Sequence, residues 1–311
     1  MRRPRRATRA LIAGLAVAGL ALLTACGGGS GGGPLAPTSN AAPAPSGTLG
    51  VGSADFPENR VLAAIYAQAL EKSGAKVTRK FGIGSREVYF PGLTDGSIDL
   101  VPDYTGVLLQ YLDKTATASA PDAVYTALQA KVPAPLTVLG KAAAEDKDAV
   151  VVTAATAAKY GNSLDAFGKA CGQLVFGGPS EFQTRPDGLP GLTKNYGCSF
   201  KEFKALDTGG PLTVAALKDG TVQAADLFTT DPAITANGFV VLADPKSNFA
   251  AQNVVPLINK AKATPQVSAA LDAVSAKLTT DGLVKLLSQL SAPDKPDVET
   301  VAKQWLADNG L

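Results

Sequence analysis

Two segments of the sequence repeat each other, and each ends in an aromatic residue followed by threonine. The segment 93–105 (LTDGSIDLVPDYT) aligns without a gap with the segment 217–229 (LKDGTVQAADLFT). Each copy is typical of a helix end, an Asp-Gly turn and a strand, so Tyr104-Thr105 and Phe228-Thr229 follow two strands. Ligands of open α/β sheets gather beyond the carboxyl ends of the strands. Unless two common Asp-Gly turns match by coincidence, the repeat predicts that a ring and a hydroxyl from each of two lobes face one cleft.

Residue types that most enzymes need are missing from this sequence. It contains no histidine, which removes the usual general base, the usual metal ligand and every triad built on histidine. The body of the chain also has no Gly-x-Ser-x-Gly nucleophile elbow and no cluster of metal ligands. We therefore expect no catalytic residues, no metal and no cofactor, and an extracytoplasmic hydrolase with an acidic pair is only an alternative.

The elements that position the repeat alternate along the chain. Strand-like runs alternate with amphipathic helices from residue 48 onward, a pattern that predicts an α/β fold with mostly parallel sheets. The first strand is predicted at 48–52, and Pro57 opens a helix whose apolar residues recur at three-and-four spacing. The stretch 264–309 is predicted to be helical. The body from residue 48 is long enough for two lobes that each bury a core.

The N-terminus has the organisation of an export signal. Five arginines precede the apolar run 10–23 and the tetrapeptide Leu-Thr-Ala-Cys that ends at Cys26. A signal anchor needs about 20 apolar residues and no small residues before a cysteine, so we interpret residues 1–25 as a lipoprotein signal peptide. The tetrapeptide resembles the bacterial lipobox, whose cysteine is lipidated and becomes the mature N-terminus. Residues 26–47, rich in Gly, Pro and Ser, are predicted to be a flexible tether to the outer face of the cytoplasmic membrane.

The charge and the cysteine content limit the kinds of partner and the cellular compartment that fit this chain. The chain has 29 basic and 27 acidic residues, and much of the basic excess lies in the signal peptide. The body is therefore close to neutral, which argues against a nucleic-acid partner. In an exported protein the isolated pair Cys171 and Cys198 most simply forms one disulfide. The alternative of two free or metal-binding thiols lacks the further ligands that a metal site needs.

Four segments in order carry a resemblance to a known family. They are 51–70 (VGSADFPENRVLAAIYAQAL), 82–106 (GIGSREVYFPGLTDGSIDLVPDYTG), 177–197 (GGPSEFQTRPDGLPGLTKNYG) and 225–234 (ADLFTTDPAI). Together they resemble the ProX-type osmoprotectant-binding lipoproteins that serve ABC importers of glycine betaine, carnitine and choline. The resemblance covers the whole body from residue 48.

The resemblance implies a periplasmic-binding-protein fold of type II, a Venus flytrap with two lobes and two crossover segments. The first lobe would be discontinuous, comprising 48–145 and 246–311, and the second would be 149–243. We place the crossovers near 146–148 and 244–245, where charged or turn residues interrupt the apolar runs.

In this family a cage of aromatic rings holds the trimethylammonium group by cation–π attraction. Tyr104 matches the tyrosine of the family's acidic-Tyr-Thr-Gly motif, and Phe228 stands where many members have tyrosine. Members often carry another tyrosine between 207 and 217, but this sequence has no aromatic residue there. Candidates to complete the cage are Phe56, Tyr89, Phe90 and Phe182, each of which also suits a packing role.

Polar residues are expected at the other end of the ligand. Arg86 would meet a carboxylate, unless it is a solvated surface residue. Asp148, on a predicted crossover, would face the ligand or orient the hinge. Asp55 and Asp231 are ligand candidates, but both positions suit helix capping better. Hydrogen bonds to the ligand are also expected from Ser53, Thr105 and Thr229.

The resemblance also implies partners. They are a small quaternary-ammonium ligand, a permease that contacts the rims of both lobes and a separately encoded ATPase, since this chain has no Walker motif. The protein itself is expected to be a monomer. Two alternatives remain: the same fold with a neutral or aromatic polar ligand, and a structural lipoprotein that binds other surface molecules.

Overall fold

The computed structural model describes residues 47–294 and 296–311. The predicted signal peptide, the lipidation site Cys26 and nearly all of the predicted tether lie outside the described residues. Within the described residues, no helix combines the length and the apolar character needed to cross a bilayer.

Helices and strands alternate along the chain, as the sequence predicts. The first part contains β1 (Thr48–Gly52), α1 (Pro57–Lys72), β2 (Lys76–Lys80), α2 (Arg86–Asp95), β3 (Leu100–Tyr104), α3 (Thr105–Leu112), α4 (Pro121–Lys131) and β4 (Leu136–Val138). The middle part contains β5 (Asp148–Thr153), α5 (Ala154–Tyr160), α6 (Leu164–Phe167), β6 (Val175–Gly178), α7 (Leu189–Tyr196), β7 (Glu202–Ala205), α8 (Pro211–Lys218), β8 (Ala224–Phe228), α9 (Pro232–Ala236) and β9 (Phe239–Val241). The last part contains β10 (Val254–Asn259), α10 (Pro265–Lys277), α11 (Thr280–Leu290) and α12 (Val298–Asp308).

The ten strands form two sheets with the same internal order. One sheet runs β2-β1-β3-β10-β4 and the other runs β7-β6-β8-β5-β9. In each sheet the strand after the central one is antiparallel to both of its neighbours: β10 lies between β3 and β4, and β5 lies between β8 and β9. We call the first sheet with α1–α4 and α10–α12 the first lobe, and the second sheet with α5–α9 the second lobe. The α/β fold is confirmed, but the expectation of mostly parallel sheets is wrong: two of the four strand pairs in each sheet are antiparallel, because β10 and β5 enter their sheets from the crossing segments.

The first lobe is built around α1. Pro57 opens this helix, and Val61 through Ala67 are all fully buried. Because α1 is apolar on nearly every side, it packs against both the sheet and the C-terminal helices α10–α12. The predicted helical stretch 264–309 is divided into three helices, whose N-caps Thr264, Thr279 and Asp297 accept hydrogen bonds from backbone N–H groups of the first turn.

The two copies of the sequence repeat occupy equivalent places. The strands β3 and β8 are both third in their sheets. Each follows an Asp-Gly turn in which the glycine adopts a left-handed conformation, with φ of 78° at Gly96 and 79° at Gly220. Tyr104 and Phe228 are the last residues of these strands. The repeat in the sequence is therefore a repeat of structure.

Two segments pass between the lobes, one from β4 to β5 and one from β9 to β10. They lie side by side, because Glu145 forms an isolated antiparallel bridge with Asn253. The second passage lies later than the predicted 244–245. The Asp244 carboxylate accepts hydrogen bonds from the backbone N–H groups of Asn248 and Phe249, and Phe249 packs in the core of the second lobe. The chain leaves that lobe only after Phe249, so the predicted boundary at 246 is a few residues too early.

The predicted disulfide between Cys171 and Cys198 is present, with Cα atoms 5.2 Å apart. Both cysteines are buried in the core of the second lobe. The disulfide links two segments of this lobe that are 27 residues apart in the sequence.

Replacing both cysteines by alanine should lower the free energy of unfolding by about 3 kcal/mol, because the bridge restricts the unfolded chain over a loop of that length. Denaturant titration followed by circular dichroism measures the change. Dithiothreitol should shift the wild-type transition in the same direction and leave the double variant unaffected. Equal midpoints for the wild type and the variant would contradict the prediction.

Candidate functional site

A cavity lies between the lobes, beyond the carboxyl ends of β1, β3 and β8. Residues from both lobes and from both crossing segments line it. They are Ala54, Asp55, Phe56, Asn59, Gly84, Ser85, Arg86, Tyr89, Tyr104, Val107, Asp146, Asp148, Glu181, Arg185, Thr208, Phe228 and Gln252. This position and this lining fit a ligand that contacts both lobes at once.

Three aromatic rings meet at this cavity. Phe56 occupies the N-cap of α1 in an extended conformation, which directs its ring toward the gap. Its ring centroid lies 6.2 Å from that of Tyr104 and 5.2 Å from that of Phe228, with interplanar angles of 27° and 25°. The structure thus brings together the two rings predicted from the repeat and adds Phe56 between the lobes. Tyr89 supplies a further ring to the lining.

The threonines that follow the two rings do not line the cavity. The Thr105 hydroxyl donates to the Ala251 carbonyl and accepts from the Asn253 backbone N–H, which fastens α3 to a crossing segment. The Thr229 hydroxyl accepts from the Lys147 backbone N–H at the surface. Side chains alternate in direction along extended chain, so the residue after an inward-facing ring faces away from it. The hydrogen bonds that we predicted from Thr105 and Thr229 to a ligand are therefore not supported by their positions.

Thr230, which the sequence analysis did not single out, lies in a buried network that joins the lobes. Its hydroxyl oxygen lies 2.7 Å from Glu58 Oε2 and 2.7 Å from Asp146 Oδ1. The Tyr104 hydroxyl donates to Glu58 Oε1 at 2.8 Å. One threonine hydroxyl has a single hydrogen, so a second donor in this cluster has to be a protonated carboxyl group. Burial raises the pKa of Glu58 and, together with the charge of Glu58, that of Asp146.

Arg86 lines the cavity, but its charge is already paired. Its guanidinium donates from two nitrogens to the Asp103 carboxylate, at 3.2 Å and 2.5 Å. Tyr89 donates to the same carboxylate at 2.7 Å. Arg86 and Asp103 are both almost fully buried. The solvated-surface alternative for Arg86 is thus wrong, and the carboxylate that it meets belongs to the protein itself.

Arg185, a second residue that sequence reasoning missed, bridges the lobes. It belongs to the second lobe and pairs with Glu87 of α2 at 3.1 Å, and with Glu181 at 3.7 Å. Burial alone would raise the pKa of Glu87. The hydrogen bonds and the charge of Arg185, together with a hydrogen bond from Ser85, outweigh burial and lower this pKa to about 2. This ion pair joins the two lobes beside the cavity.

Asp148 stands at the centre of a group of carboxyl groups. It opens β5 and pairs in register with Phe228. Among the described residues it has one hydrogen-bond donor, the Gln252 side chain at 2.8 Å. Asp226 is buried nearby with Oδ1 unpartnered within the described part of the chain, and burial and the charge of Asp148 raise its pKa. Burial, followed by the charge of Asp148, raises the pKa of Asp187 to about 7.

The remaining predicted residues divide between the rim and the interior. Asp55 lines the rim in an exposed ion pair with Arg60. Asp231 caps α9 by accepting from the Ala233 backbone N–H at 2.8 Å, and it lines a neighbouring depression. Three more candidates contribute to cores or local backbone structure and do not line the cavity: Ser53, Phe90 and Phe182.

Comparisons with known proteins agree with this geometry. Residues 47–308 match the OpuAC family, described as the substrate binding domain of ABC-type glycine betaine transport systems. The chain is 26% identical over 281 residues to the glycine-betaine-binding protein of Pseudomonas aeruginosa, covering 85% of this chain and 88% of that protein. It is 27% identical over 285 residues to the glycine betaine-binding protein YehZ of Escherichia coli, covering 84% and 90%.

The fold agrees as well. The crystal structure of a glycine betaine/carnitine/choline ABC transporter protein superposes with a TM-score of 0.66 at 21% identity, covering 84% of this chain and 98% of that one. The two-lobed periplasmic-binding-protein fold is thereby confirmed. The family consists of solute-binding proteins of transporters, which are not enzymes and act outside the cytoplasm. With a match over nearly the whole folded body, this chain belongs to the OpuAC family of ABC-importer substrate-binding proteins.

Proposed function

We propose that this chain captures a small quaternary-ammonium solute, such as choline or glycine betaine, in the cavity between its lobes. The observation that carries the proposal is the meeting of Phe56 with one ring from each lobe, Tyr104 and Phe228. A quaternary ammonium group has no N–H to donate, so ring faces suit it better than hydrogen-bond acceptors do. The names of the curated relatives support the same class of solute.

The interaction free energies available at such a site are large enough for useful affinity. Each ring contributes about 0.5 to 2 kcal/mol to a bound cation, depending on how far water is excluded. Micromolar binding corresponds to about 8 kcal/mol. Several rings, a nearby carboxylate and the apolar contact of the methyl groups together account for an affinity of this order.

Contacts across the cleft support a hinge-closing mechanism. Glu58 of the first lobe meets Thr230 of the second, and Glu87 meets Arg185. These contacts need the lobes to be close, so an occupied cavity and a closed form stabilise each other. Closure on the solute then presents both rims to the permease, which works with a separately encoded ATPase.

The N-terminal sequence supports attachment to a membrane. We propose that Cys26 carries a lipid on the outer face of the cytoplasmic membrane and that residues 26–47 tether the monomeric body to it. The Leu-Thr-Ala-Cys tetrapeptide and the Gly-rich stretch after it support this arrangement.

Calorimetric titration of the purified protein with choline, glycine betaine and 3,3-dimethyl-1-butanol tests the ligand class. The last compound is the uncharged carbon isostere of choline, so it fills the same volume without a cation. We expect micromolar binding of at least one quaternary ammonium compound, and binding of the isostere weaker by about thirtyfold or more, since a desolvated cation–π contact is worth about 2 kcal/mol. The proposal fails if neither charged compound binds at millimolar concentration, or if the isostere binds as tightly as choline.

A further inference from the structure

The charged groups on the cavity wall divide into paired and unpaired groups. The arginines there are Arg86 and Arg185, and both form ion pairs with carboxylates of the chain itself. For Arg86 the partner is the fully buried Asp103, in a two-point contact that also receives the Tyr89 hydroxyl. A ligand carboxylate would therefore have to compete with a buried, geometrically matched protein carboxylate for this guanidinium.

Arg185 is no more available. Glu87 contacts it with both oxygens, at 3.2 Å and 3.1 Å, and Glu181 lies at 3.7 Å. Glu87 also occupies the first turn of α2. The N-terminus of this helix, which would otherwise suit an anion, thus already holds one from the protein.

Two carboxyl groups on the same wall have no ion-pair partner within the described part of the chain. Asp146 is 2% exposed, and its Oδ2 has no hydrogen-bond partner there. Asp148 is 8% exposed and receives one hydrogen bond, at Oδ2, from Gln252. Asp148 pairs in register with Phe228, so an acceptor without an ion-pair partner lies beside the rings, while both arginines of the lining are paired.

We infer that the ligand is a net cation of the choline type, a quaternary-ammonium alcohol, and that Asp148 selects it over a zwitterionic betaine by accepting its hydroxyl hydrogen. The inference rests on the proposed function and narrows it. Choline brings a positive charge and one O–H donor, which match an Asp148 carboxylate that has no ion-pair partner among the described residues and keeps a free acceptor oxygen. Glycine betaine brings a carboxylate, which would face Asp148 and find both guanidiniums occupied, and like charges in a partly desolvated site discriminate strongly.

The test compares choline chloride and glycine betaine by calorimetry on the wild type and on Asp148→Asn. For the wild type we expect choline to bind at least tenfold more tightly than glycine betaine. For D148N we expect choline to lose about tenfold in affinity or more, while glycine betaine is unchanged or binds more tightly. The matched control is Asp219→Asn, which removes one negative charge from the turn before β8, at the end of that strand opposite Phe228. D219N should leave both affinities within about threefold of the wild type.

The outcomes are separable. Glycine betaine binding as tightly as choline to the wild type would overturn the inference and leave the proposed function intact. An unchanged ratio of affinities in D148N would overturn the role of Asp148. Absence of binding by both compounds would overturn the proposed function together with this inference. The wild-type ratio needs no variant, so the inference is tested even if D148N fails to fold.

Discussion

The variant Phe56→Leu should bind choline about thirtyfold more weakly than the wild type. Leucine keeps most of the apolar volume of phenylalanine but has no π face, and a desolvated cation–π contact is worth about 2 kcal/mol. Because tenfold in affinity corresponds to about 1.4 kcal/mol, the loss of one ring face gives a change of this size. Phe56 is the ring that stacks with a ring from each lobe, so its loss also removes a contact across the cleft. Calorimetric titration with choline chloride measures the effect.

Two further variants separate ring chemistry from packing. Phe56→Tyr keeps the ring and should stay within about threefold of the wild type. Phe203→Leu removes a ring that packs on Phe176 in the second lobe, away from the cavity, so it should lower stability without changing affinity. If F56L and F56Y bind choline equally well, the ring face of Phe56 does not hold the cation.

Choline affinity should rise with pH between about 5 and 8. The pKa of Asp187 is raised to about 7 by burial and then by the charge of Asp148, and the charges of Arg185 and Arg86 oppose this increase. A bound cation favours the ionised form of such a group, so binding releases protons in this range. Release of one proton gives at most about tenfold in affinity per pH unit. Calorimetry in buffers of different ionisation enthalpy measures both the affinity and the protons released.

The stability of the free protein should change in the opposite direction. Asp187 has a folded-state pKa above its unfolded value of about 3.9. Its contribution to the free energy of unfolding is therefore fully present below pH 4 and is lost as the pH rises through 7. The pKa of Glu87 is lowered to about 2, so its contribution to the free energy of unfolding is lost only at lower pH. It does not change between pH 5 and pH 8. Without ligand, the unfolding temperature should therefore fall from pH 5 to pH 8. Asp187→Asn should flatten the pH dependence of both the choline affinity and the unfolding temperature. A choline affinity of the wild type that does not change with pH would refute the link between binding and proton release.

The predictions that succeeded depend on local, periodic signals. The Asp-Gly turn and the strand after it form a pattern of neighbouring residues, and the alignment of 93–105 with 217–229 located two rings that meet at one cavity. The same alignment misplaced Thr105 and Thr229, because it identifies a strand end without fixing which side of the chain each residue faces. In the second lobe the residue at the network is Thr230, two positions after the ring.

The residues that were missed act through contacts that are distant in sequence. Glu58 looks like an ordinary acid in the first turn of a helix, yet it meets a threonine 172 positions away. Arg185 lies in a polar loop whose composition indicates a surface, and its partner Glu87 is 98 positions away. Arg86 was identified as a candidate, but its partner Asp103 belongs to a strand with no signal for a buried charge pair. Only the three-dimensional arrangement distinguishes an occupied guanidinium from a free one.

The placement of β10 and β5 determines the order in which the two lobes can complete their sheets. All five strands of the second lobe lie between residues 148 and 241, and Phe249 completes its core, so this half is complete once residue 249 has emerged. The first lobe lacks the fourth strand of its sheet until residue 259 is available, since β10 lies between β3 and β4. Although its first strand precedes the second lobe in the sequence, this half must finish last, and until then β3 and β4 present bare edges that are open to wrong pairing.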